Sequence, residues 1–414
     1  MSARTVVITG IGVVSALGVG KETFWKNVIA GQNGVHKIEQ FDPSGCTSHI
    51  AAEVKDFNPE DFMDRKEVRR RDKNIQFAVG AAKLALQDSG LELANEDTSR
   101  IGVIIGSGIG GIHTFEVNHS TCVEKGPSRV SPFFIPMIIS NMASGVVGIE
   151  LGLKGVNYCV VSACATGTHA LAAAADAIRA GRADVVFSGG TEAAVCEISV
   201  AGFCSLHALS TRNDEPEKAS RPFDKERDGF VLGEGAAVLT LESLEHAQAR
   251  NAHIYAILAG SGATCDAHHI TAPDPEGKGA ENAMRLAIAD AGLKPEDIDY
   301  INAHGTSTPL GDPAEIKAIK NLFGEHAYKL AVSSTKSMLG HALGATGAIE
   351  TAICALALQD GIIPPTINYE YPDPECDLDI VPNVARKQDI KTALNNSFGF
   401  GGQNAVVVLK KYEC

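Results

Sequence analysis

Two segments of equal length, 180 residues apart, share one pattern of residues. Residues 165–181 read ATGTHALAAAADAIRAG, and residues 345–361 read ATGAIETAICALALQDG. Each opens with Ala-Thr-Gly, continues with helix-forming residues, ends in glycine and follows a segment rich in valine and serine. Unless two alanine-rich helices are alike by chance, the repeat predicts a duplicated strand–loop–helix unit. We therefore expect two related halves, residues 1–251 and residues 252–414.

Short runs rich in valine and isoleucine alternate with the alanine-rich segments. They include TVVITGIGVV, RIGVIIGSG, ADVVFSGG and AVVVLK. This alternation predicts an α/β fold with buried strands, and a chain of 414 residues is long enough for two hydrophobic cores. No apolar run is long enough for a membrane span, and the glycine-broken N-terminal segment is more typical of a strand and turn than of a signal peptide.

Charge and cysteine usage narrow the function classes. The net charge of −14 argues against general nucleic-acid binding. The ten cysteines are scattered, with no CxxC pair, so neither a zinc site nor a disulfide framework is predicted. A reducing cytoplasm is the expected compartment.

Cys164 differs in position from the other cysteines. In VVSACATGTHA it stands where an apolar, strand-like run gives way to the first repeated helix. Its sulfur is expected near the helix N-terminus, where unpaired N–H groups and the helix dipole favour the nucleophilic thiolate. The alternative is a small buried apolar residue, as most cysteines are.

Three further segments carry candidate partners for Cys164. NAHGTSTPLGD places His304 after the strand-like DIDYI, and KSMLGHALGATG places Lys336 and His341 just before the second repeated helix. NNSFGFGGQNA is a glycine-rich turn before the last strand. A lone histidine is usually structural, but two in glycine-rich loops at strand ends of an α/β sheet are candidates for function.

The series Cys164, His304, Lys336, His341 and GFGG, in this order, resembles the β-ketoacyl-acyl carrier protein synthases of the elongating type. RPFDKERDGFVLGEGA and GIIPPTIN also match, and the resemblance covers essentially the whole chain. It is strongest to the type II enzymes of bacterial fatty acid synthesis. The resemblance implies a thiolase-like fold with a layered αβαβα sandwich, a cytoplasmic homodimer and an acidic acyl carrier protein as partner.

The resemblance also implies a role for each catalytic residue. Cys164 would take the acyl chain, with the backbone N–H groups of Cys164 and Phe400 as the oxyanion hole. His304 and His341, both neutral, would each donate an N–H to the malonyl thioester oxygen during loss of CO2. The resulting enolate would attack the acyl-enzyme and lengthen the chain by two carbons.

Lys336 and Glu350 are implied to form a supporting cluster. Lys336 would order its loop and tune the charge of the site, although a surface lysine is the alternative. The resemblance allows a structural monovalent cation near Asn302, Glu350 and Asn396. No other cofactor is expected.

The resemblance gives the acyl pocket three candidate residues. Phe400, between two glycines, would gate the pocket, Ile109 would limit its depth, and Phe203 would form a wall. The further predicted substrate contacts are Thr306, Thr308 and Gly399. GSGIGG, which contains Ile109, also fits a dinucleotide fingerprint. We expect no βαβ unit after it, because residues 113–134 are polar and predicted to be irregular, and NAD binding is therefore not predicted.

A basic cluster is the candidate docking surface for the carrier protein. Residues 64–73, DRKEVRRRDK, carry six basic and three acidic side chains in a chain of net charge −14. Helical spacing would put the basic residues on one face, although a solvated helix face is the alternative. The candidates are Arg65, Lys66, Arg69, Arg70, Lys125 and Arg129. His207 stands where related sequences often have arginine nearby.

The alternatives differ in their catalytic residues. A non-catalytic chain-length partner would lack the cysteine, and an initiating synthase would carry asparagine in place of His341. A thiolase would have a second catalytic cysteine in the NSFGFGG turn. A polyketide ketosynthase with the same Cys-His-His set is the alternative that the sequence leaves open.

Overall fold

The structure is a computed structural model that describes residues 4–413. The strands are β1 Val6–Ser15, β2 Gly18–Val19, β3 His36–Lys37, β4 Ile50–Ala52, β5 Ile101–Gly106, β6 Asn157–Tyr158, β7 Val185–Glu192, β8 Leu232–Gly233, β9 Gly235–Ser243, β10 Ala256–Cys265, β11 Tyr300–Asn302, β12 Ala331–Ser333, β13 Ile362–Ile363, β14 Arg386–Lys387, β15 Thr392–Gly399 and β16 Gln403–Lys411. The α-helices are α1 Lys21–Ile29, α2 Arg65–Val68, α3 Lys73–Ser89, α4 Ile112–Lys125, α5 Phe134–Ile138, α6 Met142–Leu151, α7 Thr166–Arg179, α8 Glu197–Ser205, α9 Leu244–Ala249, α10 Lys278–Asp290, α11 Gly311–Phe323, α12 Lys336–Leu339 and α13 Thr346–Asp360.

The main sheet shows the duplication directly. Its order is β12-β11-β15-β16-β10-β1-β9-β7-β5-β6, with β2 beside β1. From the central β1–β10 pair outward, each of the ten strands in this order has a counterpart in the other half; β2 has none. The pairings also agree: β7–β9 and β15–β16 are antiparallel, whereas β5–β7, β11–β15, β5–β6 and β11–β12 are parallel. The predicted duplication is confirmed, and the predicted boundary at residue 251 lies between α9 and β10.

The helices form three layers around the two halves of the sheet. The repeated helices α7 and α13 lie in the middle and contact strands of both halves, while α3 and α10 cover the outer faces. Every residue of α13 from Thr346 to Leu358 is buried, as expected for a helix that is apolar on all sides. The predicted αβαβα arrangement is confirmed.

Glycine allows the outer helices to pack directly on the central strands. A Cβ on Gly12 of β1 would lie 1.9 Å from the carbonyl oxygen of Ala81 on α3. A Cβ on Gly262 of β10 would lie 2.1 Å from the carbonyl oxygen of Ala283 on α10. The two halves therefore repeat this close helix–strand packing.

The four quoted apolar runs overlap β1, β5, β7 and β16, so their prediction as strands is confirmed. The prediction that residues 113–134 are irregular is wrong. Residues up to Lys125 continue α4, and the chain then returns through α5 and α6 to β6, parallel to β5. Most side chains of α4 face outward, since Thr114 is the buried residue of this helix. The segment therefore lacks the apolar pattern by which a buried helix is predicted from sequence. Within the described part of the chain, no helix is both long and apolar enough to cross a bilayer.

Candidate active site

A cavity of about 550 Å³ brings the predicted site residues together. Its lining includes the predicted catalytic residues Cys164, His304, His341 and Phe400. It also includes the predicted substrate contacts Ile109, Phe203, Thr306, Thr308 and Gly399. Lys336 is buried outside this lining.

Cys164 lies in a tight turn at the start of α7. Residues Ala163–Ala165 form a single 3₁₀ turn that runs into the helix at Thr166. Ala163 has φ 48°, in the left-handed region that a residue with a Cβ rarely adopts. The preceding strand ends earlier than predicted, at Tyr158. The predicted position of Cys164 at a helix start is nevertheless confirmed.

The GFGG turn brings backbone donors to the sulfur. The backbone N–H groups of Phe400 and of Cys164 itself both reach the Cys164 sulfur. A Cβ on Gly399 would lie 3.1 Å from the backbone nitrogen of Cys164 and 2.8 Å from the carbonyl oxygen of Ser162. Glycine at this position allows the two segments to approach closely. The arrangement has the form of an oxyanion hole centred on Cys164.

The expectation of a resting thiolate at Cys164 is wrong. Burial raises the pKa of Cys164 to about 11, because a charged sulfur loses its hydration in the cavity. The N–H of Phe400 and the charge of Lys336 oppose this effect without cancelling it. The nucleophile is therefore stored as a thiol and must lose its proton as it reacts.

His341 presents one ring nitrogen that is free for a ligand. Its Nδ1 lies 3.0 Å from Thr346 Oγ1, while its Nε2 is buried with no hydrogen-bond partner among residues 4–413. With the Thr346 hydroxyl donating to Nδ1, the ring proton is on Nε2. Burial and the charge of Lys336 hold the pKa of His341 well below 6.5, so the ring is neutral.

His304 faces His341 across the cavity. The two ring centroids are 5.4 Å apart, with the ring planes at 87°. The loop is held by Glu315, whose carboxylate accepts the backbone N–H of His304 at 2.8 Å and of Gly305 at 2.7 Å. Burial, Lys336 and His341 hold the pKa of His304 well below 6.5. Both imidazoles are therefore neutral, as predicted.

Lys336 and Glu350 form a buried ion pair, with Lys336 Nζ 2.5 Å from Glu350 Oε1. Burial raises the pKa of Glu350 to about 7, with the charge of Lys336 opposing the shift. The ammonium group also acts on the pKa values of Cys164, His304 and His341. The alternative of a surface lysine is wrong, because Lys336 is 2 % exposed.

Two family profiles match the chain. "Beta-ketoacyl synthase, N-terminal domain" matches residues 3–247, and "Beta-ketoacyl synthase, C-terminal domain" matches residues 255–370. The chain belongs to the beta-ketoacyl synthase family. The predicted family, and with it the class of condensing acyltransferases, is thereby confirmed.

Full-length relatives of this synthase are close in sequence. Proteins named 3-oxoacyl-[acyl-carrier-protein] synthase 2 from Staphylococcus aureus strain N315 and from Coxiella burnetii are each 54% identical to it. Each alignment covers 99% of both chains.

Solved structures share the fold over the full length. One is a type II PKS acyl-carrier protein in complex with its ketosynthase bound to the hexaketide, at 37% identity and TM-score 0.93. Another is the ishigamide ketosynthase/chain length factor, at 38% identity and TM-score 0.93. Both comparisons cover 100% of each chain.

The acyl-pocket candidates of the synthase line the same cavity as Cys164. Ile109 is 38% exposed, and Phe203 on α8 packs edge-on against Phe230 with ring centroids 5.4 Å apart. The backbone N–H groups of Gly108 and Ile109 donate to the carboxylate of Glu192. In a dinucleotide-binding site the corresponding N–H groups would donate hydrogen bonds to a pyrophosphate. Here they donate to a carboxylate of the protein itself.

The predicted cation ligands have the unsatisfied oxygens that such a site needs. Asn302 Oδ1, Asn396 Oδ1 and Glu350 Oε2 are buried and accept no hydrogen bond within the described part of the chain. Hard oxygen donors of this kind fit a cation. Asn302 ends β11, and its register partner on the neighbouring β15 is Asn395, next to Asn396.

The basic cluster is only partly helical. The helical spacing expected of the basic residues extends only over α2, which ends at Val68, and Asp72 caps the next helix by accepting the Asn74 N–H. Four of the docking candidates still line one surface depression of about 600 Å³ beside Phe133, namely Arg65, Lys66, Arg69 and Arg70. Lys125 ends α4 and Arg129 lies in the following turn, while His207 is exposed at the cavity mouth.

Sequence reasoning missed two buried carboxylates that hold the site together. Glu315 supports the His304 loop, and Glu192, at the end of the apolar β7, accepts four hydrogen bonds. A glutamate at the end of a fully buried strand is a signal that could have revealed Glu192, since an unpaired charge is not tolerated there.

Proposed function

We propose that the chain is a β-ketoacyl-acyl carrier protein synthase of the elongating type. It catalyses the decarboxylative Claisen condensation of malonyl-carrier protein with an acyl chain held on Cys164. One observation carries the proposal: a thiol with an oxyanion hole shares a cavity with two neutral imidazoles, His304 and His341. The full-length relatives named 3-oxoacyl-[acyl-carrier-protein] synthase 2 support it.

The first step is transfer of the acyl group to Cys164. The sulfur attacks the thioester carbonyl, and the N–H groups of Cys164 and Phe400 hold the oxyanion that develops. Because the resting group is a thiol, its proton must leave during attack, and His304 is the imidazole available as the base, since Nε2 of His341 already carries a proton. The carrier's phosphopantetheine thiol is the leaving group and takes up the proton.

The second step is loss of CO2 from the malonyl group. The carbon–carboxylate bond breaks, and its electron pair forms an enolate whose oxygen carries the charge. N–H donors from His304 and His341 stabilise that oxygen without transferring a proton, since both rings are neutral. The enolate carbon then attacks the acyl-enzyme carbonyl and releases the Cys164 sulfur as a thiolate, which takes a proton from water and becomes the resting thiol again.

The direct test combines the purified protein with acyl-loaded and malonyl-loaded carrier protein. We expect a β-ketoacyl product two carbons longer than the acyl donor, together with one equivalent of CO2. Cys354→Ala is the matched control, because Cys354 is a fully buried thiol of α13. Failure of the unaltered protein to form the product would refute the proposal.

We infer that an acidic carrier protein docks at the basic depression. Arg65, Lys66, Arg69 and Arg70 concentrate positive charge around an exposed aromatic ring in a chain of net charge −14. The Arg70 guanidinium lies 4.8 Å from the Phe133 ring centroid. The solved complex of a ketosynthase with its acyl-carrier protein supports a partner of this class.

Charge reversal tests the docking surface. Arg65→Glu with Arg69→Glu is expected to lower kcat/KM for carrier-bound substrates by roughly tenfold or more, because rim charges steer association. Activity on the same acyl group attached to free pantetheine should not change. Arg182→Glu, an exposed arginine outside the depression, is the control. An equal loss with both substrate forms would contradict docking.

We further propose a homodimer formed around the edge strand β6. This strand pairs on one side with β5, and Tyr158 of β6 and nearby Ile149 and Val161 are exposed apolar side chains. An uncovered edge of this kind favours pairing with a second chain. Light scattering should give twice the chain mass. Val161→Glu should lower that mass, whereas Val384→Glu, equally apolar and exposed elsewhere, should leave it unchanged.

We propose that a monovalent cation is held by Asn302, Asn396 and Glu350, through their unsatisfied oxygens. It would offset the charge of Glu350 beneath the site. Replacing choline by potassium at constant ionic strength should raise the melting temperature. Asn302→Leu should remove that difference, and a rise that persists in this variant would place the ion elsewhere.

A polyketide ketosynthase is the second candidate, favoured by the two full-length structural matches to polyketide systems. The product decides between the two: a single two-carbon extension indicates fatty acid elongation, and repeated extension without reduction indicates a polyketide pathway. The 54% identity to the 3-oxoacyl synthases favours the former.

We propose that the protein acts in the cytoplasm. All nine cysteines within residues 4–413 are free, which is typical of a reducing compartment. Fractionation of the cells that produce it should place the activity with the cytoplasmic proteins.

A further inference from the structure

We propose that Glu192 is a positioning residue that sets the length selectivity of the acyl pocket by holding two of its walls together. One wall is the segment Ser107–Ile109, and the other is the turn Leu343–Ala345. This inference rests on the proposed function, because it concerns the acyl chain attached to Cys164.

Glu192 connects the two walls through both carboxylate oxygens. Oε1 accepts the Ser107 hydroxyl at 2.9 Å and the Ile109 N–H at 3.3 Å. Oε2 accepts the N–H of Gly108 at 2.7 Å and of Gly344 at 3.0 Å. The side chain is fully buried, so water does not satisfy these donors in its place. The carboxylate is the shared acceptor of two segments from different halves of the chain.

The packing around Glu192 leaves no space for an additional side-chain atom between the two walls. A Cβ on Gly344 would lie 2.5 Å from the Gly108 nitrogen, and a Cβ on Gly108 would lie 2.8 Å from Glu192 Oε2. The end of β7 is equally close, since a Cβ on Gly190 would lie 2.2 Å from the carbonyl oxygen of Gly344. A shift of the carboxylate therefore moves both walls.

Each wall carries an apolar side chain into the cavity beside Cys164. Ile109 and Leu343 both line it, and Leu343 belongs to the same hydrophobic cluster as Cys164. The acyl chain must pass between or against these side chains once it is attached to the sulfur. Their spacing, fixed by Glu192, decides which chain lengths fit.

The four donors favour an ionised carboxylate over an amide, and their hydrogen bonds oppose the rise of the Glu192 pKa to about 7 that burial causes. Glutamine has the same shape but only one acceptor oxygen, and its NH2 group would face two of the four donors. Glu192→Gln should therefore move the two walls apart, while the glutamine side chain still fills the space of the glutamate. Ser107→Ala removes one donor and should act in the same direction with a smaller effect.

The experiment measures acylation of Cys164 by intact mass, using hexanoyl and myristoyl thioesters. The ratio of the two rates should change by about tenfold in Glu192→Gln, the value of one hydrogen bond to a charged group, and by less in Ser107→Ala. Glu242→Gln is the matched control, because Glu242 is equally buried but binds His246 and Arg250 instead. It should lower the melting temperature and leave the ratio unchanged.

The outcomes separate this inference from the proposed function. An unaltered protein that is not acylated at Cys164 overturns the proposed function. Acylation of the unaltered protein with the same rate ratio in Glu192→Gln and Ser107→Ala overturns the positioning role alone. If Glu192→Gln does not fold, Ser107→Ala decides. A uniform loss of rate for both chain lengths would show a merely structural role and would also overturn the proposal.

Discussion

The turns before α7 and before α13 have the same backbone and different residues at their centres. Ala163 has φ 48° and Leu343 has φ 44°, each turn is a single 3₁₀ turn, and each continues into a helix that begins with Thr-Gly. At the centre, the first turn has Cys164 and the second has Gly344. Only the first turn therefore presents a reactive side chain to the cavity.

In the proposed mechanism, this difference divides the catalytic side chains between the two halves. The space for a side chain at Gly344 is filled by Gly108 and Glu192, so the second turn is a structural contact. The second half contributes His304 and His341 to the cavity instead. In the proposed mechanism, the first half supplies the covalent anchor and the second half supplies the two imidazoles.

The largest expected effect is at the centre of the first turn. Cys164→Ala should lower acyl-enzyme formation by roughly 10⁴-fold or more, because no other group replaces the nucleophile. Intact mass spectrometry measures the acylated fraction. The melting temperature should change little, since a buried thiol is replaced by a small apolar group. Acylation that persists at another residue would break the comparison between the two turns.

The next effect concerns the second half. His304→Ala or His341→Ala should slow decarboxylation of malonyl-carrier protein by roughly 10²–10³-fold, the usual cost of one lost oxyanion donor. Release of labelled CO2 measures this step. Acylation of Cys164 should fall much less than decarboxylation does. Equal losses in both steps would show that the halves do not divide the chemistry in this way.

A smaller effect is expected at the centre of the second turn. Gly344→Ala places a Cβ 2.8 Å from Glu192 Oε2 and should lower the free energy of unfolding by about 1–3 kcal/mol through overpacking. Denaturant unfolding measures the change. Gly45→Ala, where a Cβ meets no atom within 4 Å, is the control. Equal stability of the two variants would mean that the second turn tolerates a side chain as the first does.

The smallest expected effect is on the pH dependence of stability, to which histidines of the two halves contribute differently. His246, in the first half, hydrogen-bonds to the buried Glu242, which raises the pKa of His246, whereas burial lowers the pKa of His304 and His341. The charged His246 stabilises the fold fully below pH ~6.5, and this stabilisation is lost as the pH rises through its folded pKa. The contribution of His304 and His341 to stability depends on pH in the opposite direction. Below pH ~6.5 these two histidines are protonated in the unfolded chain, which stabilises the unfolded state.

His246→Gln tests this contrast. The variant should lose about 1 kcal/mol of stability at mildly acidic pH and less at alkaline pH. Thermal unfolding at both pH values measures the difference, with His253→Gln, an exposed histidine, as the control. A loss that is larger at alkaline pH would contradict the charged state of His246.

The sequence predicts the features that local patterns determine. The repeat identified the paired helices and the position of Cys164 at a turn, because backbone conformation there depends on neighbouring residues. The pKa of Cys164 was not predictable, since it depends on burial in the folded chain and on the N–H of the distant Phe400, and not on the helix start alone. The polar α4, the early end of α2 and the connection through Glu192 also depend on tertiary packing, which no short window of sequence records.

The burial of α13 between the two sheet halves has a consequence for folding. The helix is buried from Thr346 to Leu358 and contacts strands of both halves. If either half unfolds, apolar side chains of α13 become exposed to water. Separating the chain near residue 251 would expose apolar surface on both fragments. We therefore expect the two halves to unfold in one cooperative transition, with neither half persisting as an autonomous domain.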